Sequence, residues 1–297
     1  MNNIFLKIIF NFLKTIIVLM PHLAFAETAA PQSPHTFTGN VTLASEYRFR
    51  GISQTYKQPA IQGGFDYAHA SGFYAGTWAS NVNGSLTAGG PTYTNGNMEW
   101  DFYGGYKGKF SDDLGYDVGL LYYYYPGAEY NLPTRDKYNN TEIYGAISYK
   151  WFTFKYNYTL SDFFGTNTNT FGGFCGINRD TGTAYTATNA PDGCIGTDPG
   201  GSKGSGYADF TFAYEFADKW TVGAHIGRQI VRHYSLLNYT DYKVSVNKEF
   251  GGFNFGLAFI TTDAKKPFYT GVKTSGGNVD SKVLSDNTLV LSVSKTF

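Results

Sequence analysis

The stretch MEWDFYGGYKGKF, residues 98–110, decides the fold. Trp100, Phe102, Gly104, Tyr106, Gly108 and Phe110 take every second position, and Glu99, Asp101, Tyr103, Gly105, Lys107 and Lys109 fill the gaps. Neighbouring side chains on a β-strand point to opposite faces, so a period of two makes one greasy face and one mostly polar face. Soluble antiparallel sheets alternate in the same way, so this run alone means strand and no more.

Working outward, about twelve such runs follow one another from Phe37 to Phe297. They are expected near Phe37–Arg50, Pro59–His69, Phe73–Val82, Met98–Phe110, Gly115–Tyr125, Asn140–Lys150, Phe152–Leu160, Gly206–Ala217, Trp220–Arg232, Tyr239–Phe250, Phe253–Asp263 and Thr288–Phe297. The third run has an ambiguous facing. Their connections alternate between tight and long. Ala70-Ser71-Gly72, Ser111-Asp112-Asp113, Asp218-Lys219 and Gly251-Gly252 read as turns, whereas 83–97, 126–139, 161–205 and 264–287 read as loops. Short turns on one side and long loops on the other are the pattern of an outer-membrane barrel.

Composition agrees. Aromatic residues make up 18% of the 297 residues and charged residues only 15%, with 36 glycines. After residue 26 no run of about 18 apolar residues occurs, so helical spans are not expected. Runs of about 9–11 residues suit a tilted strand crossing hydrocarbon. Aromatic pairs flank the tight turns, Phe110 and Tyr116, Phe216 and Trp220, Phe250 and Phe253, as befits rings at a membrane–water boundary. The expected fold is all-β, a single antiparallel up-and-down transmembrane β-barrel of about twelve strands with short periplasmic turns and long extracellular loops. A secreted soluble sandwich is the competing architecture.

The first residues read separately. Lys7 and Lys14, the apolar segment 15–23 and Ala24-Phe25-Ala26 make a secretory signal peptide over 1–26, cleaved after Ala26. Residues 27–36 read as a flexible leader and 37–297 as the barrel, with 161–205 its longest external loop. The chain holds 23 basic and 23 acidic residues, and losing two lysines with the signal leaves a net charge of −2. Near-neutral charge argues against nucleic acid as a partner. The two cysteines, Cys175 and Cys194, share the longest loop, and export favours a disulfide between them. Their spacing fits neither a zinc site nor a Cys-x-x-Cys redox pair.

The segment TGNVTLASEYRFRGISQTYKQPAIQGGFDY, Thr38 to Tyr67, followed by SGFYAGTWASNV, resembles the N-terminal signature of the TorF-type porins, a group of bacterial outer-membrane barrels. Ser45 to Gln54 is its most specific part, and the resemblance extends to Phe297. It implies a porin fold and an outer-membrane location more than any particular solute. The cysteine loop stands outside the pattern. Phe297, an aromatic ending an alternating strand, resembles the sorting signal read by the outer-membrane assembly machinery.

If the greasy faces meet lipid, the others line the bore. The pore-lining candidates are Glu46, Arg48, Arg50, Asp66, Glu99, Asp101, Lys107, Lys109, Asp117, Glu142, Lys155, Asp209, Glu215, His225, Asp241 and Lys243. A lining of both signs can hold water or pair across a narrow bore and plug it. Glu46, Arg48 and Arg50, spaced by two, form a candidate filter for anions, with an interior ladder of ion pairs as the alternative. Arg228 and Arg232 share parity with Ile226 and meet lipopolysaccharide phosphates at the external rim unless a bulge turns them inward. No nucleophile elbow, His-Glu-x-x-His or phosphate loop is present, and His225 has no evident serine partner. The expectation is a non-enzymatic, cofactor-free and metal-free channel for passive diffusion of small polar solutes, partnered by the lipid bilayer. The alternative is a non-conducting structural or surface-binding barrel that works through its external loops.

Overall fold

The computed structural model describes residues 33–83, 93–94, 96–130, 135–167, 170, 177–178, 183–184, 200–275 and 278–297. Twelve strands among them close into one antiparallel barrel: β1 (His35–Ala44), β2 (Ala60–His69), β3 (Phe73–Asn81), β4 (Met98–Lys109), β5 (Leu114–Tyr124), β6 (Asn140–Tyr149), β7 (Phe152–Thr159), β8 (Gly206–Ala217), β9 (Trp220–Ile230), β10 (Tyr239–Phe250), β11 (Phe253–Thr262) and β12 (Thr288–Thr296). Each pairs with its neighbours in sequence. The ring is sealed where β1 meets β12, from Asn40 opposite Thr296 to Ala44 opposite Ser292. Closure leaves no open sheet edge, the condition for a sheet in hydrocarbon, where unpaired backbone groups cost several kcal/mol each.

The period of two sorts the side chains as the sequence implies. Phe37 is 74% exposed, Phe65 73% and Leu289 62%, and large apolar side chains cover the outside of the whole ring. A contiguous apolar girdle of this extent is a lipid-facing surface, because water-facing patches rarely exceed a few hundred Å². β3 takes its sense from its neighbours. Phe73 points outward, while Tyr74 is buried and Trp78 packs edge-on against Tyr47 in the interior.

At one end, the turn end, the connections are tight. Gly251 and Gly252 take φ of 60° and 77°, and Asp218 and Lys219 take 41° and 62°. Paired positive φ values make the hairpin turns whose twist matches that of the strands. At the opposite, loop end the connections are long and pack on one another. Ile52, Tyr56, Val82, Tyr125, Ala128, Phe164, Ala264 and Leu284 come from these loops and bury against Tyr123 and Tyr239 of the wall. Full burial of a side chain such as Leu284 stabilises by about 2 kcal/mol.

Three features differ from the expectation. β1 begins at His35, so the last two residues of the expected leader belong to the wall. It ends at Ala44, not Arg50, because the chain turns inward there. A hairpin of Thr270–Ser275 with Asn278–Val283 stands where a plain loop was expected. The signal peptide 1–26, Ala26 and the cysteines Cys175 and Cys194 lie outside the described residues.

Candidate functional site

Residues 46–56 fold into the barrel instead of away from it. Within them Arg48–Phe49 pairs with Ile52–Ser53. The two-residue tip is Arg50, with φ of 45°, and Gly51, with φ of 79°. Both left-handed residues are needed for this type of turn, and glycine takes such a φ without steric cost. Gly51 also has no room for a side chain, since a Cβ there would lie 2.5 Å from Thr262 Cγ2 and 2.8 Å from Asp241 Cβ. The tip is thus pressed against β10 and β11.

Arg50 reaches the far wall. Its Nη2 donates to Glu142 Oε2 of β6 at 2.7 Å, and its Nη1 to Gln229 Oε1 of β9 at 2.8 Å. The guanidinium lies 4.2 Å above the Tyr207 ring and 4.7 Å from that of Phe49. Glu142 also accepts from Asn140 Nδ2 and the Tyr123 hydroxyl. Burial opposes the charge on Arg50, but Glu142 outweighs it and raises the pKa above the ordinary arginine value.

The base of the hairpin is tied down as well. Arg48 donates through Nη1 to the carbonyls of Gly51, Leu284 and Asp286, and its Nη2 lies 3.0 Å from Glu46 Oε1. Glu46 accepts from Thr288 Oγ1 through its other oxygen. The Tyr47 hydroxyl donates to Glu99 Oε1 at 3.1 Å. Glu46, Arg48 and Arg50 therefore all lie inside the barrel, on an inserted hairpin and not along a strand.

The remaining candidates sit on the inward positions of the wall, in linked groups. Tyr103 donates to Asp66 Oδ1. Tyr74 donates to Asp117 Oδ1 and shares a hydrogen bond with the Tyr144 hydroxyl. Lys107 lies over the Tyr74 ring and Lys155 over that of Tyr144, at 3.7 Å. His225 bridges two carboxylates, with Nδ1 at 3.1 Å from Asp209 and Nε2 at 2.8 Å from Asp241. The Tyr207 hydroxyl donates to Asp241 Oδ2, and Thr211 Oγ1 to Asp209. Lys243 is the register partner of His225. Asp101 is buried below Glu99 on β4, and Asp101 Oδ1 and Asp66 Oδ2 keep no hydrogen-bond partner. Lys109 and Glu215 lie near the turn end, apart from these groups. Phe297 exchanges backbone hydrogen bonds with Gly39 and exposes its ring on the outside.

Along β1 and β10–β12 the inward residues are small and partly exposed: Asn40, Thr42, Ser245, Gly256, Ser292 and Ser294. Small polar residues thus line one side of the bore, while Tyr74, Lys107, Asp117 and Tyr144 crowd the β3–β6 side toward the turn end. At the loop end the bore is packed, with Glu99 and Glu142 fully buried beside the hairpin. Such an interior can hold water and polar solutes up to a narrow charged constriction. The hydrogen bonds of His225 go to carboxylates, a tyrosine and a threonine, with no serine or cysteine nucleophile among them.

Sequence reasoning missed the inward tyrosines Tyr74, Tyr123, Tyr144 and Tyr207, and also Gln229. Counting tyrosine as greasy hid them. The available signal was parity, since Tyr74 is even-numbered among outward odd-numbered neighbours on β3, and Tyr207 shares parity with Asp209.

The model of a family described as "Bacterial protein of unknown function (Gcw_chp)" matches residues 28–297. Comparison with curated protein sequences finds no match. Among solved structures the chain is similar to a KdgM porin, with TM-score 0.46 and 7% identity over 88% of this chain and 99% of that one. It is also similar to the NanC porin, with TM-score 0.44 and 10% identity over 88% and 99%. A third similar structure is the P. putida toluene transporter TodX, with TM-score 0.41 and 11% identity over 90% and 91%.

Proposed function

The chain belongs to the Gcw_chp family, bacterial proteins of unknown function, and from the barrel itself we propose that it is an outer-membrane channel for passive diffusion of small polar solutes, narrowed at its loop end by the inserted hairpin. One observation carries this: a sealed barrel whose outside is apolar all round and whose inside is lined with charged and hydroxylated side chains. About eight strands fill with side chains and about sixteen leave an open channel, so twelve suit a narrow bore. The resemblance of Ser45–Gln54 to TorF-type porins supports the same reading. The inward wall residues and the hairpin arginines are its pore lining, and no enzymatic step is part of it.

Anion preference, which the spacing of Arg48 and Arg50 suggested, loses its basis at the hairpin. Each arginine has its own carboxylate, Glu46 or Glu142, so the pairs are neutral as units. With both pairs neutral, the constriction has no built-in preference for anions.

A second reading is favoured by the packed mouth. Tyr56, Leu284, Glu99 and Glu142 are all exposed by 1% or less, as in a barrel kept shut and used through its loops. Planar-bilayer recording of the refolded protein separates the two. Discrete steps in the wild type support the channel. Silence in the wild type with steps after deletion of residues 46–56 supports a shut barrel, and silence in both sinks the channel.

A further inference from the structure

Two of the chain's five histidines meet at the turn end of the barrel. His35 opens β1 and His69 closes β2, and the antiparallel register sets them directly opposite each other. Both share the outward parity of Phe37 and Phe65, so they stand on the outer rim, where the wall leaves the apolar girdle for water. Their ring centroids are 5.1 Å apart and their planes tilt by 51°. Each ring is oriented through the same nitrogen. His35 Nδ1 lies 2.9 Å from the Tyr67 hydroxyl, and His69 Nδ1 lies 2.6 Å from Ser71 Oγ. Both Nε2 atoms are left without a hydrogen-bond partner among the described residues.

Neutral imidazole is a ligand for transition metals, and a ligating ring is held in orientation by a hydrogen bond from its other nitrogen. Two rings that aim Nε2 at one ion from about 2.1 Å, at a ligand–metal–ligand angle of about 90–110°, have centroids about 4.6–5.4 Å apart. The separation of His35 and His69 falls inside that interval. The Ser71 N–H also approaches His69 Nδ1, at 3.2 Å. An ion on Nε2 selects the other tautomer, in which Nδ1–H donates to the closer Ser71 Oγ. No group of three or more imidazoles, carboxylates and thiols gathers among the described residues, so water completes the coordination. The strand pairing shows what such an ion would hold. β1 pairs with β12 only from Asn40 onward, so residues 35–38 have β2 as their one strand partner. A bridge at the outermost pair pins this one-sided margin.

We propose that His35 and His69 form a site for a divalent transition-metal ion of the Cu2+, Ni2+ or Zn2+ class, which bridges β1 and β2 at the turn-end rim. Such ligands bind Cu2+ more tightly than Ni2+ or Zn2+. Mg2+ and Ca2+ take oxygen ligands and are not held. The sequence pointed to no metal because the two histidines lie far apart along the chain and only the register brings them together. The site is on the outer face of the wall, so it stands or falls separately from conduction through the bore.

The test is calorimetric titration of CuCl2, NiCl2 and MgCl2 into the refolded full chain, prepared without a polyhistidine tag. The wild type is expected to take one Cu2+ per chain, Ni2+ more weakly and Mg2+ not at all. His35→Ala and His69→Ala should each weaken Cu2+ binding by about tenfold or more, and His233→Ala, at the opposite end of the barrel, should leave it unchanged. Heat-modified gel migration checks that each variant folds. Carbethoxylation of the wild type, mapped by mass spectrometry, gives the same reading without any variant: bound Cu2+ should shield His35 and His69 and leave His233 reactive. The site is overturned if the wild type takes up no Cu2+ saturably, or if both alanine variants bind as the wild type does. Shielding of His233 in place of His35 and His69 also overturns it. So does a stoichiometry of one ion per two chains, which would put the two imidazoles on different molecules.

Discussion

Arg50 and Glu142 meet at 2.7 Å although 92 positions separate them in sequence. The contact joins the tip of an inserted hairpin to the wall opposite its root, so it sets how far the hairpin enters the bore. Both side chains are almost fully buried, at 7% and 1% exposure. A buried pair broken on one side is costly because the survivor is left without a partner.

Arg50→Ala should therefore destabilise the folded mouth by about 3–5 kcal/mol and widen the bore. Bilayer recording should show larger or more frequent steps than the wild type. The double variant Arg50→Ala/Glu142→Gln should recover part of the stability, because no charge is stranded. If urea unfolding finds the double variant no more stable than Arg50→Ala alone, the pair is not what holds the hairpin.

Gly51 and Gly252 make a controlled pair. Their φ values, 79° and 77°, are nearly equal. Gly252 has nothing within 4 Å of an added Cβ, whereas Gly51 has Thr262 and Asp241 at less than 3 Å. Gly252→Ala should cost only backbone strain, about 1–2 kcal/mol, and leave conductance alone. Gly51→Ala bears the same strain and cannot seat the tip, so it should mimic Arg50→Ala in the bilayer. Equal conductance of the two glycine variants would falsify the seating argument.

Asp286 ties two loops at the mouth, with Lys57 at 3.3 Å and Lys266 at 3.2 Å. Partial burial pushes its pKa up, but hydrogen bonds and charge from Lys266 and Lys57 prevail and hold it below the ordinary aspartate value. A depressed carboxylate contributes stability above the unfolded pKa and loses it as pH falls through the folded one. The tie is thus intact at neutral pH and released only below about pH 4, the ordinary aspartate range. Limited proteolysis of the 263–287 loop should accelerate there in the wild type. In Asp286→Asn it should be fast at every pH, and a wild-type rate that rises near pH 6 would point to another group.

The barrel was legible because alternation is local. A strand's faces follow from parity alone, and Gly251-Gly252 or Asp218-Lys219 announce a turn without help from distant residues. The inserted hairpin was not legible on the same rule. Glu46, Arg48 and Arg50 continue the parity of β1, and nothing local says that the wall ends at Ala44. What ends it is the distant pairing of Arg50 with Glu142 and Gln229, and of Arg48 with carbonyls beyond residue 283. Gly51 was the one local clue, a left-handed residue two positions before Ser53. The inward tyrosines were hidden for a related reason. Their rings count as greasy, yet their hydroxyls, as in Tyr74 on Asp117 and Tyr207 on Asp241, belong to the polar network.

Ion selectivity tests the constriction most directly. With Arg48 beside Glu46 and Arg50 beside Glu142, the hairpin presents matched charges. Asp66 on β2 and Asp101 on β4 are inward carboxylates whose charge would favour cations where the open bore wets them. In a potassium chloride gradient the reversal potential should fall between zero and the cation side. Asp66→Asn/Asp101→Asn should move it toward anions without closing the bore, because asparagine keeps the size of the side chain. A clear anion reversal in the wild type would mean that the arginines act unpaired in the conducting state, and that the hairpin leaves Glu142 when the channel opens.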